Sequence, residues 1–255
     1  AALSDATIVF TTAQPAYHRW AEEFPALQAS IVDASLAAGA PLMVVENLYG
    51  YGEHAGPLRE DTPMRPTTKK GRVRAQLWRA LEAAAADRGL QMAVVRGSDF
   101  IGPGVEGSAF GERFFRPIAA GKAAETIGDV NARHSVTYVP DLAEALVRVA
   151  EDDTSWGRAW HAPSAPAVTQ RELAAMAGVV LGKEAKIRPL PISLLRIVGL
   201  FVKPAAETVE MRYEFESDFL IDSSAFTDRF GMEATPLPEA ISAVMVDRDL
   251  VHGHS

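Results

Sequence analysis

Short apolar runs alternate with longer amphipathic stretches through the first two thirds of the chain, and this alternation constrains the fold most strongly. The runs TIVFT (Thr7–Thr11), LMVV (Leu42–Val45) and MAVV (Met92–Val95) have the length and composition of strands covered on both faces. Strands that alternate with helices build parallel sheets. The pattern therefore predicts an α/β fold in which these three strands are neighbours in one sheet.

Two helices are expected between these strands. The alanine-rich segment 26–38 ends at Gly39, a residue type that commonly terminates helices, and Pro25 is expected in its first turn. Apolar residues then recur at helical spacing over Val73–Ala84, and Gly89 marks the end of that second helix. Both segments complete the strand–helix–strand pattern.

Two further helix starts carry the pattern of a capping box. Asp141 is followed three residues later by Glu144, and Thr169 is followed in the same way by Glu172. We expect Asp141 and Thr169 to be the N-cap residues of these helices. From Lys183 onward the chain is expected to be mostly helical, without another parallel strand.

Composition disfavours several classes of function. The formal net charge of -8 argues against nucleic-acid binding, which needs a broad basic face. The chain has no cysteine, which fits the reducing cytoplasm, and we expect a cytoplasmic location. The apolar stretch Pro189–Val202 contains Arg196 and is shorter than the roughly 20 residues that cross a bilayer. We interpret it as a buried helix, and expect no membrane partner.

Four motifs, taken in order, carry a family resemblance. LYGYG (Leu48–Gly52), RGSDFIGPGV (Arg96–Val105), YVPDLAEAL (Tyr138–Leu146) and GRAWHAP (Gly157–Pro163) together resemble the extended short-chain dehydrogenase/reductases, specifically the NAD-dependent epimerase/dehydratases. The resemblance implies a Rossmann-type sheet that binds NAD or NADP and a smaller lobe that closes over a small-molecule substrate, often a nucleotide sugar. It also implies that a homodimer is possible.

The resemblance implies a division of the chain into two parts. Residues 1–163 would form a partial Rossmann-like domain, and residues 164–255 the smaller substrate-binding lobe, with the two interleaved as in the family. The start DATIVFTTAQ resembles the family's fourth strand, and no Gly-x-Gly-x-x-Gly precedes it. We therefore expect about sixty residues of strand–helix units before this strand in the natural protein. Without them, the apolar strand Thr7–Thr11 would be an unpaired edge of the sheet.

The basic run RPTTKKGRVRAQ (Arg65–Gln76) matches the helix that carries the family's Tyr-x-x-x-Lys pair. The preferred register places Thr68 at the tyrosine and Arg72 at the lysine, and Val45 near the family's serine. A shift of one turn brings Lys69 or Lys70 to the lysine, but no shift supplies a tyrosine. Threonine cannot replace the phenol in proton transfer, whereas arginine can still bind ribose.

The nearest phenols provide the candidate acids. Tyr51 is the first candidate and Tyr49 the second, because both follow a strand end and can reach the cleft. The alternative is that both rings simply fill the mouth of the cleft. Arg72 is the candidate partner for the cofactor ribose and the third predicted catalytic residue.

The remaining predicted contacts follow from the resemblance, except those of Tyr17 and His18, which follow from the position of the run QPAYHRWAEEFP after a turn at the rim of the cleft. The cofactor would lie against small residues after the first strand and against the loop after the third: Thr11, Thr12, Ala13 and Ser98. The predicted substrate contacts are Tyr17, His18, Asp99 and His134. Most of these residues also have a structural alternative. The small residues after the first strand would permit a tight turn, Tyr17 would pack the entry to a helix, and His134 would be a partly exposed loop histidine. His18 and His134 show no metal-ligand spacing with the carboxylates.

Two functions follow from these expectations. The first is an NAD(P)-dependent epimerase/dehydratase-like oxidoreductase that acts on a small alcohol, carbonyl or sugar-type substrate. The alternative is a non-catalytic sensor or scaffold that binds the dinucleotide, which the missing tyrosine favours.

Overall fold

The computed structural model describes residues 6–190 and 209–247. Its largest sheet has four parallel strands in the order β1–β2–β3–β6, formed by β1 (Val9–Thr11), β2 (Leu42–Glu46), β3 (Met92–Arg96) and β6 (Ala159–His161). The predicted α/β class and Rossmann-type parallel sheet are confirmed. The three predicted strands are neighbours, although β1 begins later and β2 and β3 end one residue later than expected.

Strand β1 lies at an edge of this sheet. Within the described residues it pairs only with β2, and the side chain of Phe10 is 48% exposed. An edge strand offers unpaired backbone groups to another strand. The structure thus has the apolar edge that the sequence predicted for these residues.

Two long helices pack against each other and contribute to the same apolar cluster as the sheet: α1 (Trp20–Ala38), which follows a single 3₁₀ turn at Tyr17–Arg19, and α2 (Lys69–Arg88). Their predicted ends at Gly39 and Gly89 are confirmed, and both glycines have the left-handed backbone conformation. The prediction that Pro25 lies in the first turn of α1 was wrong. The helix begins earlier, at Trp20, because Trp20 and Phe24 bury their rings against α2.

Helix α4 (Val139–Glu151) begins before the residue that we expected to cap it. Asp141 therefore lies in the first turn, and the prediction of an N-cap was wrong. Its carboxylate instead accepts hydrogen bonds from the backbone nitrogen and the hydroxyl of Thr235, both at 2.7 Å. The acidic side chain is thus used by a distant segment rather than by its own helix.

The other described elements are α3 (Glu112–Ala119), β4 (Ala123–Thr126), β5 (Arg133–His134), β7 (Val168–Thr169), α5 (Gln170–Leu181), β8 (Lys186–Pro189), α6 (Tyr213–Glu216), α7 (Ser224–Phe230) and α8 (Leu237–Asp247). Strand β4 pairs in parallel with β8, and β5 pairs antiparallel with β7. The expectation of no parallel strand after Lys183 was wrong. Strand β8 is short and mostly exposed, so it lacks the apolar run that would reveal it. The capping box of Thr169 and Glu172 at the start of α5 is confirmed.

The chain divides into two compact units that interleave along the sequence. Unit 1 comprises Ala1–His54, Leu58–Gly97 and Ala143–Ala162, and unit 2 comprises Ala55–Pro57, Ser98–Leu142 and Pro163–Ser255. Residues 98–142, which we had assigned to the first domain, lie in unit 2. The expected helix at Pro189–Val202 lies almost wholly outside the described residues.

Candidate functional site

Three polar residues end three neighbouring strands of unit 1. Glu46 is the last residue of β2, Arg96 of β3 and His161 of β6, and Arg96 is the lateral partner of both others. Ligands of open parallel sheets bind outside the carboxyl ends of the strands. The sheet of unit 1 therefore has a row of ionisable side chains at the edge where its fold class binds ligands.

This row forms a buried hydrogen-bond network with Tyr51. The Nε of Arg96 donates to Glu46 Oε2 at 3.0 Å, and its Nη1 donates to the Tyr51 hydroxyl at 2.8 Å. The Tyr51 hydroxyl also lies 2.8 Å from His161 Nε2. Burial acts to lower the pKa of Arg96, but the negative charge of Glu46 and the hydrogen bonds to Glu46 and Tyr51 raise it above the usual value. Arg96 therefore stays charged inside the protein.

Arg96 fixes one role of the Tyr51 hydroxyl. A guanidinium can only donate, so the phenol oxygen accepts from Arg96. Which of Tyr51 and His161 donates in their shared hydrogen bond depends on the imidazole tautomer. Burial raises the pKa of Tyr51, although the positive charge of Arg96 partly opposes the rise. The residue is only 2% exposed. This geometry favours a structural role for Tyr51, and its predicted role as an acid stays a prediction.

The start of α2 is held close to the loop that follows β2. Thr68 is the N-cap, and its hydroxyl accepts a hydrogen bond from the backbone nitrogen of Gly71 at 3.0 Å. A Cβ on Gly71 would lie 2.6 Å from the carbonyl oxygen of Tyr49, which no side chain could tolerate. Thr68, the residue at the expected tyrosine position, thus has a clear helix-capping role.

Burial divides the four cations in the first two turns of α2 into two pairs. Lys70 and Arg74 are buried, whereas Lys69 and Arg72 are exposed. The guanidinium of Arg72 donates to the carbonyl oxygen of Thr67. The preferred register, with Arg72 at the lysine position, therefore puts an exposed side chain there. The alternative register with Lys70 puts a buried cation there.

The aromatic residues near this helix form one cluster. The Tyr17 ring lies 4.9 Å from the Trp20 ring, and the half-buried Tyr49 ring lies 6.1 Å from it. Lys70 Nζ lies 4.2 Å from the centroid of the Tyr17 ring. His18, predicted beside Tyr17 as a substrate contact, is exposed, and among the described residues its ring packs against no other aromatic ring. Tyr17 and Tyr49 are thus brought together, and His18 is not brought to them.

The small residues after β1 lie at the predicted edge of the sheet. Thr11 is half-buried and ends β1, and Thr12 and Ala13 are exposed in the turn that follows. Their position at a strand's carboxyl end agrees with the place expected for cofactor contacts. Their role in binding stays a prediction.

Two predicted substrate residues meet in unit 2. The Nδ1 of His134 lies 2.9 Å from Asp99 Oδ2, and the imidazole is fully buried and stacked on Phe215 at 5.1 Å. The alternative of a partly exposed loop histidine is therefore excluded. His134 Nε2 has no hydrogen-bond partner within the described residues. Asp99 has a φ of 40°, which is unusual for a residue other than glycine.

A third ionisable residue lies near Asp99. Glu214 is buried, and burial together with the negative charge of Asp99 raises its pKa well above the usual value. The Tyr213 hydroxyl lies 3.5 Å from Glu214 Oε1 and opposes that rise. We expect Glu214 to hold its proton under conditions in which exposed carboxylates have lost theirs.

Ser98 makes its contacts inside unit 2. Its backbone nitrogen donates to Thr137 Oγ1 at 3.0 Å, and its own hydroxyl has no partner among the described residues. Thr137 Oγ1 lies 2.8 Å from Ser164 Oγ. Ser164 in turn lines a cavity of unit 2 whose wall includes the side chains of Asp222, Asp228 and Glu233.

Residues 6–190 and 209–247 offer neither a metal site nor a membrane-spanning helix. No group of three or more histidine or acidic residues there is placed to hold a metal ion. In the same residues, no helix combines the length and the apolar character needed to cross a membrane.

The parallel sheet and the polar residues at its carboxyl edge define the class as a Rossmann-type α/β protein. A sequence model of the NAD dependent epimerase/dehydratase family matches residues 11–160. The chain belongs to this family, as its motifs led us to expect.

One curated protein is similar to this chain over part of its length. The uncharacterized protein y4nL of Sinorhizobium fredii is 29% identical over 178 residues, which cover 67% of this chain and 49% of the relative. The chain thus spans about half the length of that curated relative.

Solved structures of two enzymes share the fold. UDP-glucuronic acid 4-epimerase from Bacillus cereus, solved with UDP-glucuronic acid and NAD, superposes with a TM-score of 0.78 at 16% identity, covering 98% of this chain and 76% of that one. The dTDP-glucose 4,6-dehydratase DesIV from Streptomyces venezuelae, a double mutant with NAD and DAU bound, gives 0.74 at 14% identity, covering 97% and 74%.

Sequence reasoning missed several residues of this region. Glu46, Arg96 and His161 all lie in or beside the motifs that carried the resemblance, but none was chosen as a site residue. The available signal was a polar residue directly after each buried apolar run. Arg74 also carried a signal in the sequence. Residues three or four positions apart share one face of a helix, so Arg74 lies on the same face as Lys70 and the apolar Leu77.

Proposed function

We propose that this protein is an NAD(P)-dependent oxidoreductase of the epimerase/dehydratase type that acts on a small alcohol, carbonyl or sugar-type substrate. The observation that carries the proposal is the buried Lys70 in the first turn of α2, which follows the loop after β2. Family membership supports it, because that helix start is where the resemblance expects a lysine that binds ribose. Lys70 takes the place that we first assigned to Arg72.

The residues of unit 1 fit one end of a dinucleotide. Lys70 would donate to a ribose hydroxyl, and the small residues Thr11, Thr12 and Ala13 leave room beside the end of β1. The glycine-rich turn that binds a pyrophosphate is not among these residues. When bound, the cofactor would accept or donate the hydride, and the protein would position it and the substrate.

Unit 2 supplies the proposed polar contacts to the substrate. Asp99 fixes the orientation of the His134 imidazole, as a carboxylate commonly does for a functional histidine. Ser98 offers a hydroxyl that has no partner in the described part of the chain. These two side chains, Ser98 and Asp99, follow the end of β3 in the sequence.

A specific observation favours the second candidate function, a non-catalytic dinucleotide-binding sensor or scaffold. Both candidate phenols have packing roles: Tyr51 lies in the buried network, and Tyr49 packs against Trp20. A fold that binds the cofactor but provides no phenol to the substrate would bind without turnover.

The experiment that separates these functions measures binding and turnover on the same sample. Full-length protein is titrated with NAD, NADH, NADP and NADPH by calorimetry. It is then incubated with nucleotide sugars, sugar acids and simple alcohols, and turnover is followed by chromatography of the products as well as by nicotinamide absorbance, because an epimerase or dehydratase returns the hydride to its product and leaves the cofactor unchanged. Binding with turnover supports the enzyme, and binding without turnover on the whole panel supports the sensor. No binding of any of the four dinucleotides would overturn both.

A further inference from the structure

Two buried cations lie one turn apart on α2 beneath an aromatic cover. Lys70 is 5% exposed and Arg74 is 6% exposed. Lys70 Nζ faces the Tyr17 ring at 4.2 Å, and the Arg74 guanidinium carbon lies 4.2 Å from the Trp20 ring and 4.7 Å from the Phe24 ring. An arginine is rarely buried to this extent unless it is paired, so the surroundings of Arg74 decide whether its charge is compensated.

Arg74 is only partly compensated by its surroundings. Its Nη2 donates to Gln14 Oε1 at 3.4 Å, a long bond, and its buried Nε has no hydrogen-bond partner. No carboxylate of the described residues forms an ion pair with it. Burial lowers the pKa of Arg74 and the charge of Glu46 acts against this, but an arginine stays protonated.

The energies of these contacts indicate that Arg74 lacks a compensating negative charge. Taking an ion out of water costs several kcal/mol even after relaxation of the protein, whereas each cation–π contact returns about 0.5–2 kcal/mol. The two aromatic rings and one long hydrogen bond to a neutral amide offset only part of that cost. An anion beside Arg74 would supply the rest.

The two residues that lie above these cations are accessible. Gln14 and Tyr17 are both exposed and follow the end of β1, on the edge of the sheet where ligands of this fold class bind. The Gln14 amide is therefore the present partner of Arg74 and can be replaced by a stronger acceptor that arrives from solvent.

We propose that Arg74 and Lys70, with Gln14 and Tyr17 at the entrance, form a subsite for an oxyanion of the substrate, a carboxylate or a phosphate. Arg74 binds the oxyanion through Nε and Nη2, a bidentate geometry that suits both groups, and Lys70 adds a second positive charge. The inference rests on the proposed function, because it takes this edge of the sheet as the one that receives the substrate. It adds that the substrate is acidic.

Trp20 provides the readout, because its ring lies against the Arg74 guanidinium. Full-length protein is titrated with glucuronate, with inorganic phosphate and with neutral glucose, and tryptophan fluorescence is recorded. We expect a saturable change with at least one of the two anions and none with glucose. Loss of the change in Trp20→Phe identifies its source. Tighter binding of glucuronate indicates a carboxylate, and tighter binding of phosphate a phosphate group.

Variants of α2 and of Gln14 test the assignment. Arg74→Met should weaken anion binding by at least about tenfold, and Arg79→Met, an exposed arginine on the same helix, should leave it unchanged. Gln14→Ala removes the competing amide without removing a buried charge, so it should tighten anion binding. Arg74→Lys keeps the charge but loses the bidentate contact, and should bind less tightly than the wild type.

The outcomes distinguish this inference from the proposed function. Equal anion affinity in Arg74→Met and Arg79→Met, or no saturable change with either anion in the wild type and in Gln14→Ala, would overturn the subsite. If Arg74→Met does not fold, as judged by circular dichroism, the anion affinities of Gln14→Ala and Arg74→Lys still test the subsite. Dinucleotide binding is measured by calorimetry on the same samples, so loss of one kind of binding with retention of the other shows which proposal fails.

Discussion

The Tyr51 hydroxyl lies 2.8 Å from Nε2 of His161, a residue 110 positions further along the chain. The bond joins the loop after β2 to the last residue of β6, and Arg96 at the end of β3 lies between them and donates to the same hydroxyl. One phenol therefore connects the loop after β2 with the ends of β3 and β6. The predictions below test this network, two contacts of unit 2 and the proposed cofactor.

Tyr51→Phe should lower the free energy of unfolding by about 1–3 kcal/mol, because it leaves buried polar atoms of Arg96 and His161 without their partner. Urea unfolding followed by circular dichroism measures the change. Tyr138→Phe is the control, since no hydrogen bond of the Tyr138 hydroxyl is found in the described residues, and it should change stability by less than about 0.5 kcal/mol. Equal effects of the two substitutions would contradict the network.

Breaking the ion pair of Glu46 and Arg96 should cost more. Arg96→Met leaves the Glu46 carboxylate buried and unpaired, and we expect a loss of about 3–5 kcal/mol. Arg88→Met, which breaks the exposed pair with Asp33, should cost no more than about 1 kcal/mol. The double variant Glu46→Leu with Arg96→Met should lose less than the sum of the single variants. Strict additivity in urea unfolding would show that the two charges do not interact.

Asp141→Ala should destabilise the protein by about 2–3 kcal/mol, because the carboxylate accepts two hydrogen bonds from Thr235. Glu144→Ala on the same helix removes an exposed pair with Arg148 and should cost less than about 0.5 kcal/mol. Thermal unfolding of both variants under one set of conditions compares them. A loss for Asp141→Ala no larger than that for Glu144→Ala would contradict a stabilising contact with Thr235.

Glu214 predicts a specific dependence of stability on pH. Its folded pKa is raised above the usual value of 4.5, so the native state keeps a proton that the unfolded state releases. This contribution to stability is fully present below pH 4.5 and is lost as the pH rises through the folded pKa.

Glu214→Gln should therefore unfold with a flatter dependence on pH than the wild type over the range above pH 4.5. Urea midpoints measured at several pH values give the slopes. Glu216→Gln, two residues away and exposed, should retain the wild-type slope. If the wild type gained stability with rising pH over this range and Glu214→Gln removed the gain, the folded pKa of Glu214 would be lowered instead of raised.

Much of the fold follows from local pattern. The runs at Leu42–Val45 and Met92–Val95 are apolar at every position, so only a strand buried on both faces suits them, and Gly39 and Gly89 end the helices between. Strand β8 had no such run, because a short strand in a two-stranded sheet buries little. Asp141 carries a true capping pattern, but a contact with Thr235, far along the chain, decides its role, and no local rule contains that contact.

The candidate site was less predictable for the same reason. The resemblance directed attention to the start of α2. Burial separates Lys70 and Arg74 from the exposed Lys69 and Arg72, and burial depends on how α2 packs against α1. The contact between Asp99 and His134 joins two residues that had been chosen separately. The network of Glu46, Arg96, Tyr51 and His161 depends on strand register, which fixes lateral partners only once the sheet is assembled.

The most direct test of the account is a cofactor titration of the full-length protein and two variants of α2. Lys70→Met should weaken binding of NAD or NADP by at least about tenfold, because it removes the buried cation that we assign to the ribose. Arg79→Met, which removes an exposed cation from the same helix, should leave the affinity unchanged. Equal affinities in Lys70→Met and the wild type, or no binding of NAD or NADP by the wild type, would contradict the account.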